Sequence, residues 1–329
     1  MPAQGEVTVT AAKIDTHVHY LTKEYREAAQ QGGHAQPDGF PVLPTWDPSS
    51  ALEEMDRLGI GTSVLSVSSP GVHFGEDGDA RRLARQVNEA AADLVREHPG
   101  RFGLFASLPL PDIDGALEEL DYALDTLHAD GVVLLSNHRG LYPGTAPLRE
   151  LFEELNLRGT AVFLHPASPM NWERLIPGVP RPMMEFLFET TRTVINLVIS
   201  GTLEACPDIE LVIPHAGAAL GVLADRVAGM LEIVPELGLV EFDKVLPALG
   251  RLWYDLAGFS TPRQLLVLRE IVDPSRLLYG TDRPFANADR AAEGQERLEQ
   301  TPLLDDAERR SMYRDNALRL LPRLAMVAK

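Results

Sequence analysis

The sequence predicts an α/β protein built as a single-domain (β/α)8 TIM barrel. Three observations support this prediction. Short apolar runs rich in β-branched residues recur along the chain, amphipathic segments with helical spacing separate them, and the runs are apolar almost throughout. Continuous apolar runs are expected of parallel strands that are buried on both faces. The length of 329 residues also suits a barrel, which typically needs about 250 residues plus insertions.

Eight of these apolar runs are predicted to be strands. In chain order they cover residues 13–21, 62–69, 101–110, 131–137, 161–167, 210–217, 251–258 and 276–285. Helical periodicity is clear in two of the intervening segments, 80–98 and 117–127. An open, doubly wound sheet is the rival architecture. However, no glycine-rich phosphate fingerprint follows any strand, and eight units favour a closed barrel.

Two connections are longer than a barrel requires. Residues 22–48 and 168–182 are rich in proline and glycine, which is typical of loops. Long connections that follow barrel strands lie on the C-terminal face, where active sites are found. The chain has no internal repeat and no obvious linker. The sequence therefore predicts one domain over residues 1–329, with loops 22–48 and 168–182 over the active-site face.

Composition argues against two classes of partner and favours one compartment. The formal charge is −18, whereas nucleic-acid binders show a basic stripe and anionic membranes repel acidic chains. No apolar run reaches the roughly 18 residues of a membrane span, and residues 1–13 are too polar for a signal peptide. The single cysteine, Cys206, rules out an internal disulfide. We therefore expect a cytoplasmic protein that binds neither nucleic acid nor membrane.

Four histidines and one aspartate share a position at predicted strand ends. His17 and His19 end the first strand in IDTHVHY, His165 ends the fifth in VFLHP, and His215 ends the sixth in LVIPHAG. Asp282 follows the eighth strand in LLYGTDRPF. Alone, each is a weak signal, since a strand-end histidine is often a core residue and Asp282 could cap a helix. Their coincidence at one end of a barrel predicts a metal site.

The residue types at these positions suit a divalent cation. Side chains two apart on a strand point the same way, so His17 and His19 can face one centre. The ends of strands one, five, six and eight all converge on the mouth of a closed barrel. Imidazoles and a carboxylate are suitable ligands for Zn, Mn or Fe, and an incomplete protein shell leaves room for water or substrate.

The order of these motifs resembles the amidohydrolase superfamily. More narrowly, the chain is similar to the branch that contains aminocarboxymuconate-semialdehyde decarboxylase and the non-oxidative aromatic acid decarboxylases. The similarity covers nearly the whole chain and is clear in residues 188–217 and in LLYGTDRPF. Three stretches most resemble 6-methylsalicylate decarboxylases: residues 55–72, 83–110 and 123–134.

The resemblance implies an amidohydrolase-type barrel and a set of site residues. It makes His17, His19, His165 and Asp282 the ligands of one divalent ion, Zn²⁺ or Mn²⁺, and His215 a catalytic histidine beside them. The branch lacks the bridging lysine of two-metal amidohydrolases, and the fourth strand here, GVVLLSNHRG, has none. Homodimers or higher homo-oligomers are common in the branch, so we expect one here.

The implied reaction is metal-dependent, non-oxidative decarboxylation of a small aromatic carboxylic acid, a 2-hydroxybenzoate of the 6-methylsalicylate type, with release of CO2. Either His215 or Asp282 would protonate the ring carbon that loses the carboxylate. A direct metal ligand has a lowered pKa, whereas an acid catalyst needs a raised one. The sequence leaves this choice open.

Several residues are predicted to contact the substrate. Candidates to stack on a ring are Trp46, Phe74, Trp172 and Phe285, and candidates to hydrogen-bond its substituents are His73, Asn137, His138, Asn171 and Arg192. Trp46 and His73 are preferred, since they follow the first and second strands. Arg283 departs from the branch, which usually has an aromatic or apolar residue there. It would pair either with a substrate carboxylate or with an acidic side chain of the protein.

Two other functions fit parts of this pattern. The same ligands could serve a metal-dependent hydrolase of a lactone or an amide, because one ion can polarise a carbonyl or hold a hydroxide. A barrel that binds a small acid without catalysis is the third possibility, although all four ligands are present.

Overall fold

Eight parallel strands form one sheet within the residues that the computed structural model describes, which are 12–176, 178–237 and 240–327. The strands are β1 (Lys13–His19), β2 (Ile60–Ser66), β3 (Phe102–Ser107), β4 (Gly131–Leu135), β5 (Ala161–His165), β6 (Glu210–Ile213), β7 (Trp253–Asp255) and β8 (Leu277–Leu278). Each pairs with the next in sequence order. Residues 1–11 lie outside the described residues. They make up most of the N-terminal segment that the sequence analysis judged too polar for a signal peptide.

Backbone hydrogen bonds between the segment after β8 and β1 complete the ring. Thr16 N donates to Tyr279 O at 3.0 Å, and Asp282 N donates to His17 O at 2.9 Å. The predicted (β/α)8 barrel is therefore confirmed. The strands are shorter than the predicted runs, above all β8, of which only Leu277 and Leu278 pair as a strand.

Helices surround the barrel. They are α1 (Lys23–Gln31), α2 (Pro48–Leu58), α3 (Asp77–Glu97), α4 (Ile113–Asp121), α5 (Arg149–Leu157), α6 (Glu185–Ile199), α7 (Thr202–Ala205), α8 (Leu220–Ile233), α9 (Val245–Gly250), α10 (Arg263–Leu268), α11 (Ala288–Gln300), α12 (Asp306–Arg310), α13 (Asn316–Leu320) and α14 (Pro322–Val327). The predicted helix 80–98 corresponds to α3, and 117–127 falls on α4 and a π-helical turn after it. None of the helices described is long and apolar enough to cross a membrane.

The first long connection is not a loop throughout, because it contains α1. The side chain of Thr22 caps this helix by accepting from Tyr25 N, and Tyr25 and Ala29 are buried. The sequence analysis missed α1 because the proline and glycine residues, which follow it, dominated the composition of residues 22–48. Only the second half of this connection is irregular, apart from a short 3-10 turn.

An apolar plug fills the lower part of the barrel. Every strand contributes to it: Ile14, Val64, Phe105, Val133, Ala161, Phe163, Val212, Trp253 and Leu278. Leu320, Leu321 and Leu324, in and next to α13 and α14, pack against the same cluster and close the N-terminal end. The ring of Phe163 meets the edge of His17 at a centroid distance of 4.9 Å. The plug thus supports the first predicted metal ligand from below.

Two glycines allow a matched test of the packing. A Cβ on Gly131, at the start of β4, would lie 2.2 Å from the carbonyl oxygen of Ala161, whereas nothing lies within 4 Å of one on Gly229 in α8. We expect Gly131→Ala to lower the free energy of unfolding by about 1–3 kcal/mol through overpacking. Gly229→Ala should raise it by about 0.5–1 kcal/mol, because alanine favours a helix. Denaturant unfolding measures both, and equal effects would contradict this packing.

Candidate metal centre and active-site cavity

Three imidazoles and one carboxylate meet at the barrel mouth. His17 and His19 belong to β1, His165 is the last residue of β5, and Asp282 follows β8. One ligand atom from each lies within 4.8 Å of those of the other three, and all three imidazoles are buried. The structure therefore brings together the four residues that the sequence predicted as metal ligands.

Contacts on the far side of each ring fix its orientation. His17 Nδ1 donates to Asp255 Oδ2 at 2.9 Å, and His165 Nδ1 donates to Pro166 O at 2.8 Å. Ser66 Oγ donates to Val18 O, so it accepts from His19 Nδ1 at 3.0 Å. Each Nδ1 thus carries a proton, and each Nε2 presents a lone pair to the centre in the neutral ring. Such contacts from behind are typical of metal-ligating histidines.

The arrangement fits a cation. Nε2 of His17 and Nε2 of His19 lie 3.4 and 3.3 Å from Asp282 Oδ1. Both nitrogens are buried and have no hydrogen-bond partner among the described residues. Lone pairs and a carboxylate oxygen repel one another at this distance unless a positive charge lies between them. A divalent ion bound by these atoms and by His165 supplies that charge.

The pKa values of His17 and Asp282 in the cluster without metal also indicate a site for a positive charge. Burial would lower the pKa of His17, but the neighbouring Asp255 carboxylate outweighs it and raises this pKa to about 10. Burial would raise the pKa of Asp282, yet the neighbouring imidazoles of His17, His19 and His215 hold this pKa well below its usual range. A proton therefore occupies the cluster when no metal does, and metal binding must displace it.

Asp255 is a functional residue that the sequence analysis missed. It is fully buried at the end of β7, and besides His17 it accepts from the backbone N of His215 at 3.1 Å and of Ala257 at 3.0 Å. One carboxylate thus orients a predicted ligand and the loop that carries His215. The sequence could have indicated this residue, because an acidic side chain ends an apolar strand in WYDLAG.

His215 lies beside the cluster and faces the open space above it. Its Nε2 is 3.6 Å from Asp282 Oδ2, and its side chain is 18% exposed, unlike the buried ligand histidines. The backbone at His215 and Ala216 is left-handed, with φ of 54° and 52°. This sharp turn after β6 directs the ring toward the barrel axis, where it meets the edge of His17 at 5.0 Å.

A cavity of about 540 Å³ opens from the cluster, and we call it the metal cavity. His165, His215 and Asp282 line its inner end. Its apolar wall comes from α6, the segment after β7, and α11: Phe186, Leu187, Leu256, Phe259, Ala291 and Leu298. Charged side chains of α11, namely Arg290, Glu293 and Arg297, also line it. Phe285 also lines it and contacts the edge of His19 at a centroid distance of 5.7 Å. The structure therefore brings Phe285 to the site.

Three other predicted substrate contacts line a second, adjoining cavity of about 320 Å³. They are His73, Phe74 and Trp172. His73 Nε2 lies 2.8 Å from Asp77 Oδ1, the ring of Phe74 packs near Tyr25 and His34, and the guanidinium of Arg181 lies over Trp172 at 3.8 Å. Asn137, His138 and Asn171 line the same space.

Trp46 and Arg283, the two other predicted substrate contacts, line neither of these cavities. Both line a small space between β1, β2 and α2. Arg283 forms an ion pair with Glu54 of α2, because its backbone pairs with Val18 and its side chain points out of the barrel. Trp46 packs edge-on against the buried Tyr20 at 6.2 Å. These two side chains stabilise the wall of the barrel.

Comparison with known proteins gives relatives along almost the whole chain. Residues 14–323 match the amidohydrolase family. The decarboxylase yanB of Aspergillus niger is 36% identical over 96% of this chain and 89% of its own length. The 6-methylsalicylic acid decarboxylase of Penicillium expansum is 33% identical over 95% of this chain and 97% of its own.

Solved structures share the fold. A crystal structure described as amidohydrolase II has a TM-score of 0.89 and 36% identity, covering 94% of this chain and 100% of the other. A dihydroxybenzoic acid decarboxylase from Polaromonas sp. JS666, solved with bound manganese and 2-nitroresorcinol, has a TM-score of 0.80 and 24% identity. It covers 94% of this chain and 97% of its own. At that identity the second likeness shows the fold alone.

The contact between Asp255 and His17 gives a testable consequence for metal binding. Asp255→Asn removes the charge that orients the His17 ring, and we expect metal affinity to fall by roughly 10- to 100-fold. Asp273→Asn is the matched control, because Asp273 only caps a short turn by accepting from Ser275 N. Competition with a chromogenic chelator measures both affinities. Equal affinity in the two variants would show that Asp255 does not support the site.

Proposed function

The chain belongs to the amidohydrolase family, and on that premise we propose that it is a metal-dependent carboxy-lyase of an aromatic acid. The substrate is a 2-hydroxybenzoate of the 6-methylsalicylate type, and the carboxylate leaves as CO2. The observation that carries the proposal is a cluster of three imidazoles and a carboxylate at the end of an apolar cavity. An apolar cavity of this size suits an aromatic ring with a small substituent.

The relatives at 33% and 36% identity support this reaction over hydrolysis. Both are named decarboxylases, one of them for 6-methylsalicylic acid, and each aligns with nearly all of this chain. The ligand set alone would serve either chemistry. No observation in the cavity specifically favours a lactone or an amide.

We assign the ion to His17, His19, His165 and Asp282, as a single Zn²⁺ or Mn²⁺. Strand β4, Gly131–Leu135, has no lysine to bridge a second ion. Held by these residues, a divalent ion would supply Lewis-acid chemistry at the inner end of the cavity and would neutralise developing negative charge. The buried imidazoles exclude water from this end of the cavity.

The apolar walls orient the ring. Phe285 stands against His19, and its other neighbour is Phe40 at a centroid distance of 5.5 Å. Phe186 approaches His165 at 6.2 Å from the opposite side. A ring between these aromatic side chains presents its carboxylate to the cluster and its substituents to the outer cavity.

We assign the proton to His215. Loss of CO2 leaves the electron pair of the broken carbon–carbon bond on the ring, and a proton at that carbon completes the reaction. Both oxygens of Asp282 face imidazoles, at 3.3 to 3.6 Å, so this carboxylate acts as a ligand and an acceptor. His215 is not one of the four assigned ligands, it lies at the junction of cluster and cavity with its side chain 18% exposed, and it exchanges its proton with solvent.

We further propose one domain over residues 1–329, with the connections after β1 and β5 over the active-site face. Asp38 and Phe40 of the first connection and Pro182 of the second line the metal cavity. A reducing compartment such as the cytoplasm suits the single, buried Cys206.

A homodimer formed through α8 completes the proposal. Val222 and Ile233 of α8 are 71% and 73% exposed, and Leu246 of α9 and Leu266 of α10, two helices that pack against α8, are exposed as well. A chain with a formal charge of −18 repels copies of itself at most surfaces. The apolar face is where two copies can meet at the lowest electrostatic cost.

The activity assay uses metal-loaded protein and 2-hydroxy-6-methylbenzoate. We expect release of CO2 with formation of 3-methylphenol, and loss of both after removal of the metal. His215→Asn should lower kcat by roughly 10²- to 10⁴-fold with metal still bound. Asparagine tolerates the left-handed backbone at this position. His128→Asn, at an exposed left-handed position, is the matched control and should leave kcat unchanged.

Two outcomes would contradict the proposed function. Opening of simple lactones without any CO2 from aromatic acids would make the protein a hydrolase. Identical behaviour of metal-loaded and metal-stripped protein towards every acid would remove the metal from the reaction.

The proposed dimer is tested by charge insertion. Val222→Glu with Ile233→Glu places like charges on the face of α8, so we expect a monomer in analytical ultracentrifugation where the wild type sediments as a dimer. Leu157→Glu alters an apolar residue of α5 that is 80% exposed and should leave the dimer intact. A monomeric wild type refutes the assembly, and a dimer in all three proteins moves the interface elsewhere.

A further inference from the structure

The turn that follows β6 has an unusual backbone, and we call residues His215–Ala218 the His215 turn. All four residues have positive φ, with values of 54°, 52°, 73° and 54° in chain order. Only the third, Gly217, is a glycine, the residue that adopts this conformation at little cost. Other residues keep such a backbone only where surrounding groups hold it, and they are concentrated at functional sites. The His215 turn is therefore expected to depend on its neighbours.

Hydrogen bonds inside the turn shape it but do not place it in the barrel. Gly217 N donates to Pro214 O at 3.2 Å, and Ala218 N donates to His215 O at 3.0 Å. Both bonds join residues of one short segment. The position of the turn relative to the metal cluster therefore depends on contacts with other elements.

Two of these contacts also serve other parts of the fold. Asp255 of β7 accepts from His215 N at 3.1 Å, but the same carboxylate also accepts from the ring of His17. Thr191 of α6 accepts from Ala219 N at 3.1 Å, just beyond the turn and at the start of α8. Replacement of either residue would disturb the metal centre or a helix together with the turn.

Gln264 of α10 contacts the turn itself through its side-chain amide. Its Nε2 lies 3.4 Å from His215 O and 3.4 Å from Ala218 O, and it can donate one proton to each. Both distances are at the long end of the range for hydrogen bonds, so the amide orients the two carbonyls more than it stabilises the fold. These oxygens belong to the first and last residues of the turn. One side chain therefore holds both of its ends.

The helix α10 gives this amide a fixed origin. Gln264 is the second residue of α10, and Leu265 and Leu268 of the same helix are buried in the apolar core. Leu265 N also donates to Ser260 O at 2.8 Å, which holds the start of the helix. Gln264 itself is half-buried and lines the metal cavity. Its side chain thus connects a buried helix to the turn beside the cavity.

The turn and the His215 ring are closely packed. A Cβ on Gly217 would lie 3.0 Å from Tyr254 Cε1, and one on Gly258 would lie 3.5 Å from His215 Cδ2. The ring also meets the edge of His17 at a centroid distance of 5.0 Å. Because the ring is attached to the first residue of the turn, a displacement of the turn moves the imidazole within the inner end of the metal cavity.

We propose that Gln264 is a positioning residue for decarboxylation. It holds the His215 turn so that the imidazole stays where it can protonate the ring carbon of the substrate. The inference rests on the proposed function, in which His215 supplies this proton. Gln264 acts through His215, so its loss should slow proton transfer and leave the metal ligands in place. A displacement of about 1 Å can cost roughly 100-fold in rate.

Replacement of Gln264 by methionine keeps the length of the side chain and removes the donor. We expect Gln264→Met to lower kcat and kcat/KM together by roughly 10- to 100-fold. Metal affinity, measured by competition with a chelator, should stay at the wild-type value. Gln300→Met is the matched control, because the amide of Gln300 donates to Glu296 on an exposed part of α11. This control should leave kcat unchanged.

A double variant separates positioning from a general effect on the fold. In the His215→Asn background the imidazole is absent, so Gln264→Met should lower kcat further by less than about twofold. A further loss as large as that in the wild-type background would show that Gln264 acts elsewhere and would overturn the proposal. Unchanged kcat in the single variant would overturn it as well.

Amide hydrogen exchange tests the same contact without any reaction. Residues 214–219 should lose protection in Gln264→Met but not in Gln300→Met. Equal protection in the two variants overturns the proposal, because the turn then does not depend on Gln264. Loss of protection in Gln264→Met, together with no CO2 from any acid in the wild type, supports the contact and overturns the proposed function alone.

Discussion

The hydrogen bonds that close the barrel between its last and first strands also set the spacing of the metal ligands. Asp282 N donates to His17 O at 2.9 Å, and His19 N donates to Arg283 O at 2.7 Å. The buried Asp15 adds two hydrogen bonds between the same segments, since its carboxylate accepts from Thr281 N at 3.1 Å and from Thr281 Oγ1 at 2.5 Å. A ligand carboxylate from the end of the chain therefore reaches two ligand imidazoles from its beginning only in the closed barrel.

The space below the metal cluster differs from the space above it. Beneath the cluster, an apolar plug with residues from every strand supports the imidazoles and keeps water out. Above it lie the metal cavity and the second, smaller cavity, which share Ser69 and Asp38. The proposed aromatic acid suits this arrangement, because its carboxylate can face the cluster while its ring lies in the metal cavity.

Much of this arrangement was predictable from the sequence, for local reasons. Continuous apolar runs mark buried parallel strands, and strand-end position alone brought His17, His165 and Asp282 to one mouth. Side-chain directions beyond strand ends were not predictable. Arg283 follows a ligand in sequence, yet its pairing with Glu54 of α2 depends on how that helix packs against β1. The second cavity likewise depends on five separate segments whose side chains share no sequence pattern.

X-ray absorption at the metal edge of the purified, metal-loaded protein tests the central claim most directly, namely that one ion occupies the cluster. The account predicts one ion per chain, with a first shell of nitrogen and oxygen at about 2.0–2.2 Å and outer-shell scattering from three imidazoles, as for zinc bound by histidine and carboxylate. Two ions per chain with a metal–metal distance of about 3.5–4 Å would contradict it. A spectrum without imidazole scattering would also contradict it, because it would place the ion away from the histidine cluster.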